Sequence, residues 1–408
     1  MSDLVLRLVT QDELRAVTEF VTRNFNQEPN DAETEYEMAV VELERWLLAC
    51  DGDQMAGTAG AYTRQITVPG GSVPAAAVTW VTVAPTHRRR GVLTAMMRRQ
   101  LTDVYERGVE AVAILWASES AIYGRFGYGL SSEGGLLTIR SRDVRLTLPP
   151  APGRYEEVLP LDALPAIRDV FEANRRDRSG MLDRDEAWWK HRLTDLEHRR
   201  DGMSALRCVV HRDPAGTADG YALYRVKFSW GERGPDGEVS TLELMATSPP
   251  AYAAIWQYLL GLDLTRTLTV WHPEPDLPVR HLVNDAQQVR FSPGSGVWTR
   301  LVDVPKALAA RAYLSPVDVV LEVGDDFCPW NAGRYRLSGD RTGARCERTG
   351  DPADLSLTST ELGAAYLGGT TLTALAAAGR VTEHTAGALA AASHAFTAAR
   401  APWTPEVF

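Results

Sequence analysis

Apolar residues recur along the chain at the spacings typical of strands and helices. The mostly apolar segment Leu4–Leu8 predicts a strand. Between residues 14 and 21 apolar side chains return at nearly helical spacing, and Asp12 is placed to cap the helix that they predict. A second helix is predicted from about Asp31 to Leu48, followed by a hairpin that includes Gly57–Tyr62.

The pattern then alternates between strand and helix. Val78–Val83 predicts a strand, a basic loop follows, and a helix is predicted from Gly91 to about Arg107. Ala111–Trp116 is apolar throughout and predicts a buried strand. Mixed strands and helices in this order indicate an α/β or α+β domain.

Two proline- and glycine-rich stretches, at residues 149–153 and 292–296, suggest domain boundaries. They divide the chain into domains of residues 1–150, 151–296 and 297–408. The last part alternates short strands with alanine-rich helices after Ser359 and Thr382, which indicates a small α+β domain.

The second part begins like the first. The pattern Asp12-x-Leu14-x-Ala16 recurs at residues 162–166, and a hairpin is again predicted, around Cys208–Val210 and Gly220–Tyr224. An apolar helix, Ala251–Leu260, follows as in the first part. The repeated order of elements predicts an internal duplication.

Charge and composition exclude several classes of partner and site. The 408 residues carry 43 Lys and Arg against 53 Asp and Glu, a net charge of -10, which argues against nucleic acid or an anionic membrane and favours a cationic partner. The four cysteines lie far apart, so we expect neither a disulfide framework nor a metal site. No signal peptide or transmembrane run is evident, and we expect a soluble, cytoplasmic protein.

The most informative stretch runs from Trp80 to Leu93, where a strand ends, a basic loop follows and a helix begins at Gly91. Backbone N–H groups at a helix N-terminus, with arginines beside them, form an anion site. A solvated charge run is the alternative for Arg88–Arg90 considered alone.

Residues Arg88–Leu93 resemble the acetyl-CoA signature of the GCN5-related N-acetyltransferases (GNAT), roughly Gln/Arg-x-x-Gly-x-Gly/Ala, with Leu93 in place of the second small residue. The resemblance implies that the loop holds the CoA pyrophosphate and that Val81 and Val83 pair with the pantetheine amides. It assigns acetyl-CoA to Val81, Thr82, Val83, Arg88, Arg89, Arg90, Gly91, Val92, Leu93, Thr94, Ser118 and Glu119.

A second stretch, Ala117–Gly129, contains the Tyr-x-x-Phe-Gly-Tyr element that follows the fifth strand in many members of this superfamily. The resemblance makes Tyr123 the general acid that protonates the departing thiolate. A packed aromatic before a glycine turn is the alternative.

Four motifs together resemble the enhanced intracellular survival (Eis) acetyltransferases: Thr86–Gly91, Ile122–Gly129, Tyr221–Val226 and Tyr366–Gly369. The resemblance spans the chain and implies tandem GNAT folds, each a mixed sheet flanked by helices, followed by a sterol-carrier-protein-like α+β domain. It also implies homohexamers that acetylate aminoglycoside amines, often at several positions, and in some members lysine side chains.

The two copies differ in charge. Leu242–Leu264 contains no Lys, Arg or His where the first copy has His87–Arg90, and Pro249 and Pro250 remove amide donors. We therefore expect only the first copy to bind CoA, with the second structural or shaping the acceptor pocket.

By the same resemblance, the carboxylate of Phe408 is the general base, since an α-carboxyl is ionised at neutral pH. A docked or frayed terminus is the alternative. Val407 replaces an acidic residue familiar in the family, and Glu406 is the nearest substitute.

An acidic stretch between Glu28 and Glu44 contains no basic residue and would concentrate a polycationic acceptor, unless it is only a solvated helix face. Trp80 could supply an apolar wall or belong to the core. The predicted acceptor residues are Trp80, Glu28, Glu33 and Glu406.

The sequence thus predicts an acetyl-CoA-dependent N-acetyltransferase of aminoglycoside-type polycations. A protein-lysine acetyltransferase is the alternative among enzymes. A non-catalytic lipid carrier or interaction protein is the alternative of another class, against which Arg89–Gly91 and Tyr123 argue.

Overall fold

The computed structural model describes residues 4–408 in three successive runs of elements. The first run contains β1 Leu4–Leu8, α1 Leu14–Asn24, α2 Asp31–Met38, β2 Leu47–Asp51, β3 Gln54–Val68, β4 Gly71–Val83, α3 Val92–Arg107, β5 Val112–Trp116, α4 Ser120–Tyr123 and β6 Gly129–Leu130.

The second run contains β7 Glu133–Arg140, β8 Arg154–Val158, α5 Pro160–Asp177, α6 Glu186–Leu193, β9 Arg207–Arg212, β10 Ala218–Lys227, β11 Trp230–Gly231, β12 Gly234–Pro235, β13 Gly237–Ala246, α7 Pro249–Leu260, β14 Thr265–Trp271, α8 Val279–Leu282 and β15 Arg290–Ser295. The third contains β16 Val297–Leu301, α9 Val304–Ala309, β17 Val317–Gly324, β18 Gly333–Asp340, β19 Gly343–Arg348, β20 Leu355–Thr358, α10 Ser359–Tyr366, α11 Leu372–Ala377, β21 Thr382–Glu383 and α12 Ala388–Phe396.

Two seven-stranded sheets share one pattern of parallel and antiparallel neighbours. Their strand orders are β1-β2-β3-β4-β5-β16-β6 and β8-β9-β10-β13-β14-β7-β15. Neighbouring strands are antiparallel except at one place in each sheet, where β4 pairs with β5 and β13 with β14 in parallel. The structure therefore confirms the predicted tandem of mixed sheets flanked by helices, and the shared pattern supports the duplication.

The chain forms two compact units. Unit 1 comprises the chain up to Ser132, Val297–Pro402 and Glu406–Phe408, and unit 2 comprises Glu133–Gly296 and Trp403–Pro405. Residues 133–150, expected in the first domain, belong to unit 2 because β7 joins the second sheet and buries Leu137 and Ile139 in its core. The long segment of unit 2 ends at Gly296.

Two local expectations differ from the structure. A capping box between Thr10 and Glu13 starts the 3₁₀ turn Gln11–Glu13 that leads into α1, so Asp12 is not the capping residue. The helix predicted from Asp31 to Leu48 ends at Met38, because the following apolar residues Leu47–Ala49 are buried as a strand between β1 and β3.

The third run completes unit 1. A five-stranded sheet, β19-β18-β17-β20-β21, is accompanied by α10, which packs on β6 and β16. The contact requires glycine, since a Cβ on Gly129 would lie 2.0 Å from the carbonyl oxygen of Thr360, and one on Gly363 2.2 Å from that of Thr299. Within residues 4–408, no helix combines the length and apolarity needed to cross a membrane.

Candidate active site

Strands β4 and β5 separate at the centre of the first sheet. Their parallel pairing runs from Ala75 opposite Val112 to Val78 opposite Leu115 and then ends, whereas β4 continues to Val83. No other strand in the described part of the chain pairs with this edge of β4. Its main-chain groups beyond Val78 can therefore bind an extended ligand by strand addition.

A β-bulge at Trp80 accompanies the separation. Thr58 pairs with Thr82 but Gly60 pairs with Thr79, so β4 has one residue more than β3 across this interval. Trp80 has a φ of 52°, unusual for a bulky residue, and its carbonyl accepts a 2.6 Å hydrogen bond from the Thr58 hydroxyl. The bulge bends β4 where the parallel pairing stops.

An aromatic group lies beside the bulge. The ring of Trp46 is 5.1 Å from that of Tyr62 and 5.2 Å from that of Trp80, measured between centroids. Trp46 packs directly on Gly60, where a Cβ would lie 2.3 Å from the indole. The glycine thus determines how closely Trp46 approaches the sheet.

We predict that Gly60→Ala destabilises the fold by roughly 1–3 kcal/mol, because the added methyl overpacks against Trp46. Gly71→Ala is the matched control on β4, since no atom lies within 4 Å of its added Cβ. Denaturant unfolding of the two variants measures the difference; equal stability would contradict the close packing on Gly60.

The basic loop places arginines directly before the N-terminus of α3. A 3₁₀ turn, Pro85–His87, follows β4, and Arg89 and Gly91 have φ values of 61° and 84°. Gly91 caps α3, so the first N–H groups of that helix are not bonded within it. The loop combines exposed arginines with these outward-facing amides.

Asp51, at the end of β2, links the loop to the sheet. Its carboxylate lies 3.0 Å from Arg90 and 3.3 Å from His87, whose ring is buried. The other ring nitrogen of His87 lies 2.8 Å from the Thr86 hydroxyl.

Tyr123 ends α4 and is buried, with 6% of its surface exposed. Its ring makes edge contacts with Phe126 and Tyr128, and the chain then turns at Gly127, whose φ is 82°. Burial raises the pKa of Tyr123 to about 12, against an opposing effect of Arg125. The phenol therefore keeps its proton at neutral pH and can act as an acid.

A buried ion pair lies close to this turn and was not foreseen from the sequence. Arg300 on β16 donates to Asp325 at 2.5 Å, and a Cβ on Gly127 would lie 2.1 Å from its guanidinium. The Tyr128 hydroxyl is buried and makes no hydrogen bond within residues 4–408. The pair supports the turn although both residues are distant from it in the sequence. No local sequence pattern indicates that either residue has this role.

The predicted acceptor acids near the amino terminus differ in their exposure to solvent. Glu28 is exposed, Glu33 is buried in the first turn of α2, and Asp31 and Glu35 form exposed pairs with Arg15.

Near the end of the chain, the Glu406 carboxylate accepts a 2.8 Å hydrogen bond from Arg64 on β3, and both side chains are buried. Val407 is exposed and Phe408 half-buried. Unlike Glu28, Glu406 is thus paired with a positively charged side chain, that of Arg64, within unit 1.

The second sheet retains the bulge and the strand separation, with a buried ionic cluster close to them in the chain. The pairing of β10 with β13 shifts at Leu223, and the parallel pairing of β13 with β14 ends at Thr241. Glu243 lies two residues further on. It is fully buried and accepts hydrogen bonds from Tyr221 at 2.5 Å, Arg184 at 2.6 Å and Arg192 at 3.1 Å. Burial raises its pKa, but the two arginines prevail and lower it to about 2.

The helix after this strand lacks the anion loop. Its cap, Ser248, accepts from the amide of Ala251, and Pro249 and Pro250 supply no N–H groups. The features predicted to exclude CoA from the second copy are therefore present in unit 2. Across residues 4–408, no cluster of three or more His, Cys, Asp or Glu is suited to a metal ion.

The chain matches three family profiles. Two carry the description Acetyltransferase (GNAT) domain, at residues 5–131 and 180–301, and the third is the Sterol carrier protein domain, at residues 304–405. The matches confirm the predicted tandem of GNAT folds followed by a sterol-carrier-like domain.

Similar proteins align with most of the chain. An uncharacterised N-acetyltransferase of Streptomyces avermitilis is 46% identical over 99% of each chain. N-acetyltransferase Eis of Mycobacterium tuberculosis is 34% identical over 81% of this chain and 80% of its own. The crystal structure of Eis1 from Mycobacterium abscessus superimposes with a TM-score of 0.84 at 34% identity, covering 99% of this chain and 100% of that one.

Proposed function

The chain belongs to the Eis family of GCN5-related N-acetyltransferases, and we propose that it acetylates amines of aminoglycoside-type polycations, at more than one position. The observation that supports this most directly is the combination, within unit 1, of the open β4 edge, the basic loop and buried Tyr123. An amine is the acceptor class of the family.

The residues around the opening suit acetyl-CoA, which supplies the acetyl thioester. Val81 and Val83 offer main-chain groups to the pantetheine, with Thr82 between them. The pyrophosphate would meet Arg88–Arg90 and the amides of Gly91–Thr94, while Ser118 and Glu119 are exposed after β5. Arg89 and Gly91 have positive φ values, and backbone turns of this kind can direct successive amides toward one anion.

Two groups would move protons. Tyr123 holds a proton that the thiolate can take up on leaving, and burial keeps this phenol neutral. The carboxylate that Phe408 carries in a chain ending there would accept the proton of the acceptor ammonium, directly or through water.

The acceptor would bind beside the bulge. Trp80 is half-buried there and supplies an apolar wall, while Glu28 and Glu33 contribute negative potential from the first part of the chain. We include Glu406 in this pocket, although its carboxylate already bonds Arg64.

We predict that each chain binds one molecule of CoA. Pro249 and Pro250 remove two amide donors from the start of α7 and no basic loop precedes this helix, so the second copy lacks the groups that would hold a pyrophosphate. Isothermal titration would give a stoichiometry near one, and Arg89→Glu should abolish all of the binding. Two sites per chain, or residual binding in that variant, would contradict this assignment.

The proposed function is tested by thiol release from acetyl-CoA over a panel of aminoglycosides, simple polyamines and lysine peptides, with products identified by mass spectrometry. We expect multiply acetylated aminoglycosides. Turnover with lysine peptides alone would favour the protein-lysine acetyltransferase. No thiol release with any amine, together with a co-purifying lipid, would favour a non-catalytic carrier.

We also propose that the protein acts in the cytoplasm as a homohexamer, as the resemblance to the Eis family implies. Light scattering on the purified protein measures the assembly.

A further inference from the structure

The ion pair between Arg64 and Glu406 joins positions 342 residues apart within unit 1. We infer that it is a positioning pair, which holds the tail Glu406–Phe408 against the face of the first sheet where the acceptor reacts. This inference rests on the proposed function, because it gives the pair its effect through Phe408.

Both partners are almost fully withdrawn from solvent. The Arg64 side chain is 1% exposed and that of Glu406 7%, with a 2.8 Å contact between them. A buried ion pair contributes little net stability because both charges lose their hydration, but it enforces one arrangement of the groups that carry it. Losing either partner leaves a buried charge, so the tail would have to move.

The place of Arg64 in the sheet connects the pair to the bulge. Arg64 and Tyr62 are two residues apart on β3 in regular register with β4, so both point to the same face. The ring of Tyr62 contacts Trp46, and Trp46 contacts Trp80 at the bulge. Glu406 is therefore held on the face that carries the aromatic group beside the opening.

The shortness of the tail limits how far Phe408 can lie from Glu406. Phe408 follows Glu406 by two residues, which limits their separation to roughly 7 Å. Fixing Glu406 therefore restricts Phe408 to a small region.

This geometry gives Glu406 a different task from that of Glu28. A carboxylate bonded by a buried arginine has its charge offset, and its influence on the acceptor would pass through the position of Phe408. We therefore assign Arg64 and Glu406 as positioning residues, with Phe408 as the group that they position.

The test uses full-length protein prepared to end at Phe408, with Glu406→Gln and Arg64→Lys as variants. Glu406→Gln should lower kcat roughly 10- to 100-fold, as expected for a displaced reacting group, and leave KM for acetyl-CoA within about twofold. Arg64→Lys retains the charge and should lose less. Glu361→Gln is the control, because Glu361 is also buried in unit 1 and bonded to an arginine, Arg380.

A second readout reports the tail directly. Carboxypeptidase A removes a terminal phenylalanine only from a chain end that it can reach, so Phe408 release should be at least roughly tenfold faster in Glu406→Gln, where the end opens more often. Glu361→Gln should release it at the wild-type rate. If Phe408 is released from Glu406→Gln at the wild-type rate, the inference is overturned, whatever the change in kcat.

Combining Glu406→Gln with a Gly-Ser extension after Phe408 separates this inference from the proposed base. If the pair acts through Phe408, the substitution should cause no further loss of kcat in the extended chain. If the substitution lowers kcat in the extended chain by the same factor as in the unextended chain, the positioning role is overturned. An extension that leaves kcat unchanged would instead contradict the base assignment.

Discussion

Replacing Tyr123 with phenylalanine is expected to lower kcat for acetyl transfer by roughly 100-fold or more, the usual contribution of a positioned general acid. The substitution removes one hydroxyl and retains the edge contacts of the ring with Phe126 and Tyr128. KM for acetyl-CoA should therefore stay near the wild-type value, and steady-state thiol release measures both constants.

The pH profile provides a second check on Tyr123. Because burial raises its pKa to about 12, the phenol stays protonated throughout the neutral range, and activity should show no alkaline loss up to about pH 10. Above that pH, tyrosines ionise in the unfolded chain before the buried ones do, so rising pH removes stability. An alkaline limb near pH 8 that disappears in Tyr123→Phe would contradict a neutral acid.

Tyr105→Phe is the matched control for this substitution. Tyr105 lies on α3 in the same unit, with its ring stacked on Trp330 at a centroid distance of 4.6 Å. It should retain wild-type kcat. Wild-type kcat in Tyr123→Phe as well would exclude Tyr123 as the acid.

Appending Gly-Ser after Phe408 is expected to lower kcat by roughly 100-fold, since an amide replaces the proposed carboxylate base. Binding of acetyl-CoA should persist, because the loop and the edge of β4 are unchanged. Thiol release and equilibrium binding, measured on the same preparation, separate the two effects.

Two controls isolate the carboxylate in that experiment. A Gly-Ser extension at the amino terminus adds the same residues without altering Phe408 and should retain activity. Phe408→Ala retains a terminal carboxylate and should lose less activity than the carboxy-terminal extension. Full activity in the carboxy-terminal extension would remove Phe408 from the mechanism.

The sequence predicts the parts of the site whose signal is local. The loop Arg88–Gly91 is flanked by an apolar strand and an amphipathic helix, and Tyr123 stands in a compact aromatic-glycine element. Each can be identified within about a dozen residues, because a strand, a turn and a helix N-terminus are specified by neighbouring side chains.

The parts that could not be predicted depend on contacts between distant residues. Arg300 meets Asp325 and Arg64 meets Glu406 only after the sheet has formed, and nothing near these residues marks their partners. The bulge at Trp80 likewise arises from the register of β3 against β4.

Tertiary packing also overrides local preference in two elements. The helix predicted to reach Leu48 ends at Met38, since the apolar residues at its expected end form the strand between β1 and β3. β7, expected in the first domain, buries Leu137 and Ile139 in the core of the second sheet. Its alternating pattern predicts a strand but does not indicate which of the two sheets the strand joins.

The position of β16 between β5 and β6 has a consequence for folding during synthesis. The first sheet receives this strand only after residue 301 has been made, whereas the strands of the second sheet all lie within residues 133–295. Until then β5 has an open edge on the growing chain, exposed to mispairing. A fragment ending at Gly296 would contain every strand of the second sheet but not the strand that joins β5 to β6. The cofactor-binding copy, although first in the sequence, is therefore the later of the two to complete its sheet.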